Sequence, residues 1–179
     1  MTNGIPTMAA LAALIAACAA AAPANAQPYP NRPITLVIPL PPGGTNDMMA
    51  RAVADKIGSA HGQQIVIENR PAGGSGTVAT RQTAKAAPDG YTLLLGYTST
   101  LATGPSLFRN VGYDPRKDFA PIGLIGSAPA LLLMHPSVPV RNVKELIAMM
   151  QASTEPFQLG TPGTGTVNYL AAVLFAQQA

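Results

Sequence analysis

The amino-acid sequence predicts an α/β fold built on a parallel sheet. Short apolar, β-branched runs at 34–38, 65–67 and 91–95 alternate with segments of helical periodicity. Strands that alternate with helices in this way form parallel sheets with helices packed on their faces. The 18 prolines and 17 glycines also favour many short elements joined by turns over a helical bundle.

The first strand is followed by a turn suited to binding an anion. Two glycines follow the prolines after residue 38, and Thr45 or Asn46 is predicted to cap the next helix. Such a junction presents backbone N–H groups and the positive end of a helix dipole. The alternative is a tight turn with a capped helix, in which an acid in the first turn only compensates the dipole. The candidate residues of this junction are Gly43, Gly44, Thr45 and Asp47.

The helix after this turn is predicted to carry one apolar stripe and one ion pair. Met49, Val53 and Ile57 are spaced by four residues, and Gly58 is the predicted C-cap. Asp47 and Arg51 form an i,i+4 pair that we expect on the solvent side.

A polar segment follows the third strand. The chain passes a loop at 69–76, a helix at 77–86 and a Pro-Asp-Gly turn at 88–90 before that strand at 91–95. Residues 97–104 are then predicted to be a polar loop at the carboxyl end of the strand, where open α/β sheets bind ligands. Its alternative is a solvated loop. The candidate contacts are Thr98, Ser99 and Thr100.

A second α/β unit is predicted to begin in the C-terminal third. Beyond a charged connector at 113–118, extended runs are expected at 119–125, 130–134 and 157–159. The other expected elements are a turn at 135–139, a helix at 140–150 and a last helix from Val167. A second Gly-rich loop at 160–166 precedes that last helix, so we predict a ligand held between two lobes. The alternative is an ordinary loop. The candidate contacts are Gly163, Thr164, Gly165 and Thr166.

The first 26 residues have the features of a secretory signal peptide. An apolar run at 8–22 is followed by small residues at Ala24 and Ala26, which is the pattern that a signal peptidase cleaves. A disordered leader is the alternative. Cys18 lies in a lipoprotein-like context, but we favour its removal with the leader over a lipid anchor. The mature chain then has no cysteine for a disulfide, a thiol nucleophile or a metal site.

The remaining composition predicts a binding protein, without a cofactor, a metal or a catalytic centre. His61 and His135 are far apart in the sequence, and none of the nucleophile-elbow, zinc-protease or P-loop motifs is present. The net charge of +3 is small and dispersed, which excludes a nucleic-acid footprint.

Several segments together resemble the substrate-binding proteins of tripartite tricarboxylate transporters, the Bug family. The matching segments, in order, are YPNRPI at 29–34, PGGTND at 42–47, ENRPAGG at 68–74, AAPDGYTLL at 86–94, YDPRKDFAP at 113–121 and VKELI at 143–147. The resemblance implies a periplasmic protein in which two α/β lobes close on a small carboxylate and deliver it to membrane transport components. It also implies that the three groups of candidate contacts line the cleft, although the family often has Asn where Thr164 stands.

This resemblance gives an expected organisation for the whole chain. The expected parts are a signal peptide at 1–26, a first lobe at 27–127 and the start of a second lobe at 128–179, in a monomer. Since family members are longer, we expect a truncated chain that leaves apolar sheet and helix surface exposed and binds ligand weakly or not at all. The alternatives are a carboxylate-binding protein that serves a sensor or another partner, a non-functional fragment, and an α/β enzyme with an anion-binding loop.

Overall fold

Three strands of the N-terminal half form one parallel sheet. A computed structural model describes residues 28–72 and 74–179. Strands β1 (Ile34–Ile38), β2 (Ile65–Asn69) and β3 (Thr92–Leu94) lie in the order β2-β1-β3. Leu36 of β1 is in register with Ile67 and Leu93, so the central strand is flanked on both sides. The predicted α/β fold with a parallel sheet is confirmed.

Helix α1 (Thr45–His61) connects β1 to β2, and both of its ends differ from the prediction. Gly44 is the N-cap in place of Thr45 or Asn46, and it provides no side-chain cap. Gly58 lies inside the helix, and the left-handed Gly62, with φ 64°, ends it. A Cβ on Gly58 would lie 3.0 Å from the carbonyl oxygen of Gln63, so glycine allows close packing there.

The predicted apolar stripe of α1 is rotated with respect to its buried face. Ala50 and Ala54 are buried, whereas Met49 and Val53 are half-buried and Ile57 is 42% exposed. The small alanine side chains allow the helix backbone to approach the sheet closely, and this overrides the position of the larger side chains.

Helix α2 (Thr77–Ala84) follows a short 3-10 turn at Gly74–Gly76 and packs mainly through small residues. Its buried residues are Thr77, Ala79, Thr80 and Thr83. The helix ends two residues before the predicted position because the N–H groups of Lys85 and Ala86 bond to carbonyls three residues back.

The predicted polar loop after β3 is helical. Residues Ser99–Thr103 form a π-helical segment that continues into α3 (Gly104–Leu107). The N–H groups of Thr100 and Leu101 both donate to the carbonyl of Tyr97, which starts the helical turn. Polar composition alone therefore gave a wrong prediction of a loop.

The core lies between the sheet and α1. Leu36, Ile38, Ala50 and Leu95 are its buried members, and Leu40, Ile65, Ile67 and Leu93 pack against them. Ile38 is fully buried at the end of β1, so the core reaches the turn that precedes α1.

Residues 119–179 contribute two helices to the described structure. Asn142 is the N-cap of helix α4 (Val143–Ala152), and its side chain accepts a hydrogen bond from the Glu145 N–H. Thr166 is the N-cap of helix α5 (Val167–Gln178). The runs at 119–125, 130–134 and 157–159 are not strands, which contradicts the prediction. A strand needs a neighbour for its hydrogen bonds, and the described residues provide none for these runs.

Residues Arg32–Ala179 form one compact unit, while residues 28–31 belong to a separate N-terminal unit. The expected lobe boundary between 127 and 128 stays a prediction. The proposed signal peptide and Cys18 lie outside the described residues. Within the described ranges, no helix is long and apolar enough to cross a membrane.

Candidate ligand-binding site

The first Gly-rich turn places open backbone at the start of α1. Gly43 adopts φ 86°, and both Gly43 and Gly44 are exposed with nothing within 4 Å of a built Cβ. The Gly44 carbonyl accepts the first helical bond, from Met48. The N–H groups of the first helical turn have no partners within the helix, so they are available to an anion.

Asp47 stabilises this turn through hydrogen bonds that its buried carboxylate accepts. Its carboxylate accepts hydrogen bonds from the Gly43 N–H at 3.0 Å, from two nitrogens of Arg51 at 3.0 and 3.1 Å, and from Asn69 Nδ2 at 3.0 Å. Asn69 Nδ2 also donates to the Leu40 carbonyl. The carboxylate therefore connects the turn, α1 and the end of β2.

The position of Asp47 corrects one prediction. The Asp47–Arg51 pair exists, but Asp47 is 4% exposed and does not lie on the solvent side. The hydrogen bonds from Arg51, then from Gly43 and Asn69, hold the pKa of Asp47 well below its usual range. Because Gly43 donates its N–H to Asp47, the donors that remain for a ligand belong to the first turn of α1.

The candidate contacts after β3 have different environments. Thr98 is exposed, whereas Ser99 and Thr100 are buried. The Thr100 hydroxyl donates to the Tyr97 carbonyl at 3.0 Å and accepts from the Tyr97 N–H at 3.2 Å, and the Tyr113 hydroxyl donates to the Thr100 carbonyl. Thr98 is thus the member of this group whose side chain faces solvent.

The second Gly-rich loop also ends at a helix N-terminus. Gly163 and Gly165 have φ values of 142° and 87°, which favour glycine. The Thr166 hydroxyl accepts from the Tyr169 N–H at 3.1 Å and donates to the Gly163 carbonyl at 2.8 Å. Thr166 is therefore a cap for α5, and Thr164 is exposed.

The structure brings the second loop against the N-terminal half. The Ser75 hydroxyl donates to the Thr164 carbonyl at 2.7 Å, and the Thr103 hydroxyl donates to the Gly165 carbonyl at 2.8 Å. Ser75 lies in the predicted Gly-rich loop at 69–76 and Thr103 in the predicted polar segment at 97–104. No motif or spacing indicated that their hydroxyls bond to the second loop. The position of Asn69 at the carboxyl end of β2 was a signal that could have drawn attention to it.

Outside this candidate site, the described structure has surface depressions but no metal-suited cluster of side chains. No cluster of three His, Cys, Asp or Glu side chains suitable for a metal occurs within residues 28–72 and 74–179. Two surface depressions lie elsewhere, one lined by residues of α4, α5 and the segment between them, and the other by the end of α1 and the turn before β2. Neither contains a predicted contact residue.

Comparison with known proteins identifies the family of this chain. The model of the family described as the tripartite tricarboxylate transporter family receptor, TctC, matches residues 49–179. The chain belongs to this family. BugT of Bordetella pertussis is 37% identical over 169 residues, which cover 94% of this chain and 52% of BugT.

Solved structures of TctC-like proteins share the fold. The R. palustris protein Rpa4515 with adipate has a TM-score of 0.78 at 38% identity, covering 83% of this chain and 49% of that protein. MatC from Rhodopseudomonas palustris with bound malate has a TM-score of 0.75 at 34% identity, covering 83% and 50%. The periplasmic binding protein BugD has a TM-score of 0.71 at 32% identity, covering 84% and 50%. This TctC chain thus has the α/β fold of periplasmic solute-binding proteins and spans about half the length of these relatives.

Proposed function

We propose that this TctC chain belongs to a solute-binding protein that captures a small dicarboxylate outside the cytoplasm. The observation that carries the proposal is the pair of Gly-rich turns, each followed by a helix N-terminus, at α1 and at α5. Structures of two relatives contain dicarboxylates, adipate and malate. Two sets of N–H donors match the two ends of such a ligand.

The electrostatics of the first turn are compatible with an anionic ligand. Asp47 is the acidic residue in the first turn of α1, and its charge is offset by the bidentate contact with Arg51. Its oxygens accept hydrogen bonds within the protein, so Asp47 acts on a ligand by holding the turn in place. This proposal retains the predicted ligand contacts of Gly44, Thr45, Thr98 and the second Gly-rich loop.

The cellular setting follows from the family and from the leader. We infer export to the periplasm, because members of the family are periplasmic binding proteins and residues 1–26 have the pattern of a signal peptide. We propose the membrane subunits of a tripartite tricarboxylate transporter as the partner, since the family is described as its receptor.

Proline substitutions at the first position of each helix test the donor role. Proline is well accepted at this position, so it removes one N–H without breaking the helix. Gly44, Thr166 and Asn142 all have the extended backbone that a following proline requires. The variants are Thr45→Pro in α1 and Val167→Pro in α5, with Val143→Pro in α4 as the matched control.

The measurement is the melting temperature of the full chain with adipate, malate, succinate, citrate and, as a neutral control, adipamide. A ligand at a concentration of about 100 times its Kd adds about 2.7 kcal/mol, which is roughly 5–10 °C for a chain of this size. We expect a shift with one class of acid that Thr45→Pro and Val167→Pro reduce and Val143→Pro does not. No shift with any acid overturns binding by this chain, and an equal shift in all variants overturns the assigned donors.

A further inference from the structure

Ser75 has an unusual backbone conformation at the centre of the loop contacts. Its φ of 59° is in the left-handed region, which is uncommon for a residue other than glycine. Its hydroxyl donates to the Thr164 carbonyl at 2.7 Å, while its own carbonyl accepts from the Tyr97 hydroxyl at 2.8 Å. Ser75 therefore connects the end of β3 with the second Gly-rich loop, 89 residues later in the chain.

Thr103 makes the equivalent contact from another element. Located in the π-helical segment, it donates its hydroxyl to the Gly165 carbonyl at 2.8 Å, across 62 residues. Two consecutive carbonyls of one loop are thus held by hydroxyls from two separate elements that lie 89 and 62 residues earlier in the chain. In a planar trans peptide the N–H points opposite to the preceding C=O, so the bond to the Thr164 carbonyl also fixes the direction of the Gly165 N–H. The Thr166 N–H donates to the Gly163 carbonyl at 3.3 Å within the loop, so the donors left at the start of α5 lie beyond Thr166.

Close packing surrounds both hydrogen bonds. A Cβ on Gly165 would lie 2.9 Å from the Ser75 hydroxyl oxygen and 3.1 Å from the Phe108 ring. A Cβ on Gly76 would lie 2.7 Å from both the side chain and the carbonyl of Pro39. Glycine at these two positions allows the second loop, Ser75 and the segment after β1 to lie in contact.

We propose that Ser75 and Thr103 are positioning residues for ligand binding. Their hydroxyls hold the second Gly-rich loop in place, so the donors at the start of α5 are ordered before a ligand arrives. Ordering a loop in advance removes part of the entropic cost of binding. This inference rests on the proposed function and adds a role for two residues that do not need to touch the ligand.

Hydrogen exchange in the full chain tests, without any ligand, whether the Ser75 and Thr103 hydroxyls hold the second loop. These two hydrogen bonds are called the tether below. Ser75→Gly removes the hydroxyl and accepts the left-handed backbone, and Thr103→Val removes the hydroxyl while keeping the β-branched shape. Ser106→Ala is the matched control, because the Ser106 hydroxyl bonds within its own helical region, to the Ala102 carbonyl. Ser75→Asn is the rescue variant, since Asn tolerates this backbone conformation and provides a donor.

We expect Ser75→Gly and Thr103→Val to speed exchange in residues 160–170 about threefold to tenfold, in line with the loss of one hydrogen bond. Exchange in β1–β3 should stay unchanged, Ser106→Ala should behave like the parent, and Ser75→Asn should restore slow exchange. Unchanged exchange in 160–170 overturns the tether. An equal acceleration in β1–β3 also overturns it, because it identifies a general loss of stability.

Titration with adipate and malate separates this inference from the proposed function. We expect each tether variant to weaken the Kd of the parent about fivefold, while Ser75→Asn restores it. Unchanged affinity together with a loosened loop overturns the positioning role. If the parent binds neither acid, the titration uses the acid that raised its melting temperature. If no acid raised it, the proposed function and the ligand role of the two hydroxyls both fail for this chain, and the exchange result still decides whether the hydroxyls hold the loop.

Discussion

Among single residues, Asp47 shows how one buried charge organises the first turn. Its carboxylate receives donors from Gly43, Arg51 and Asn69, which come from the turn, from α1 and from β2. The spacing of four residues predicted the contact with Arg51. Asn69 follows 22 residues later and meets Asp47 because parallel strands place their carboxyl ends on one edge. Local spacing therefore predicted the pair, and the sheet topology adds the third partner.

The lowered pKa of Asp47 predicts how stability depends on pH. A carboxyl whose pKa is depressed in the folded state adds stability above its unfolded pKa, which is about 4. This stability is lost as the pH falls from about 4 towards the folded pKa, because the unfolded state then binds more protons. We expect urea unfolding of the parent at pH 7 and pH 3 to differ more than that of Asp47→Asn.

Asp55→Asn provides the control for this prediction. Asp55 lies on the same helix and is exposed, so its replacement removes the same formal charge near Arg51 without removing a hydrogen bond to the turn. If the unfolding free energy of Asp47→Asn depends on pH as much as that of the parent, the charge of Asp47 does not contribute to stability.

Among the elements, the sequence predicted the three strands of the sheet, but the three extended runs predicted beyond residue 118 are not strands. The bounds of β1 were predicted as found, because its residues are apolar, β-branched and buried between two neighbours. The run at 130–134 has a similar composition but forms no strand. Composition predicts a tendency to extend, whereas a strand also requires a partner.

The candidate site was predictable to the extent that it depends on local backbone chemistry. Thr166 caps α5, and Gly44 directly precedes α1 within the predicted turn. The roles of Ser75 and Thr103 depend on contacts between distant segments, and no periodicity or motif encodes such contacts. The helical conformation of residues 99–107 was missed because their polar composition resembles that of a loop.

The central position of β1 predicts where the sheet is most sensitive to substitution. Ile38 is fully buried at the end of β1, whereas Val66 on β2 is 43% exposed. Shortening Ile38 to Ala leaves a cavity and should cost about 2–5 kcal/mol of unfolding free energy, whereas Val66→Ala should cost less than about 1 kcal/mol. Urea denaturation of both variants measures this difference, and equal losses would contradict the assignment of the core.

At the scale of the whole molecule, the described structure combines a buried central strand with an exposed apolar segment. The chain spans about half the length of its relatives. Ile122, Leu124, Leu131 and Leu133 are 74–87% exposed. The side chains of β1 are therefore largely buried, whereas the segment at 121–134 leaves large apolar side chains in contact with water.

This exposed segment predicts dye binding by the folded chain. Contiguous apolar surface of this kind binds hydrophobic dyes such as ANS, so the full chain should enhance ANS fluorescence under conditions where the amides of β1–β3 are protected from exchange. Changing Leu131 and Leu133 to Lys should reduce the fluorescence and leave the melting temperature nearly unchanged, because neither side chain is part of the core.

Met48→Lys, at another exposed apolar position, is the control for added charge and should keep the dye signal. A cooperative, reversible melt without dye binding would show that the segment is covered in solution, whereas dye binding that disappears in the Leu131 and Leu133 variant would place the exposed surface on this segment.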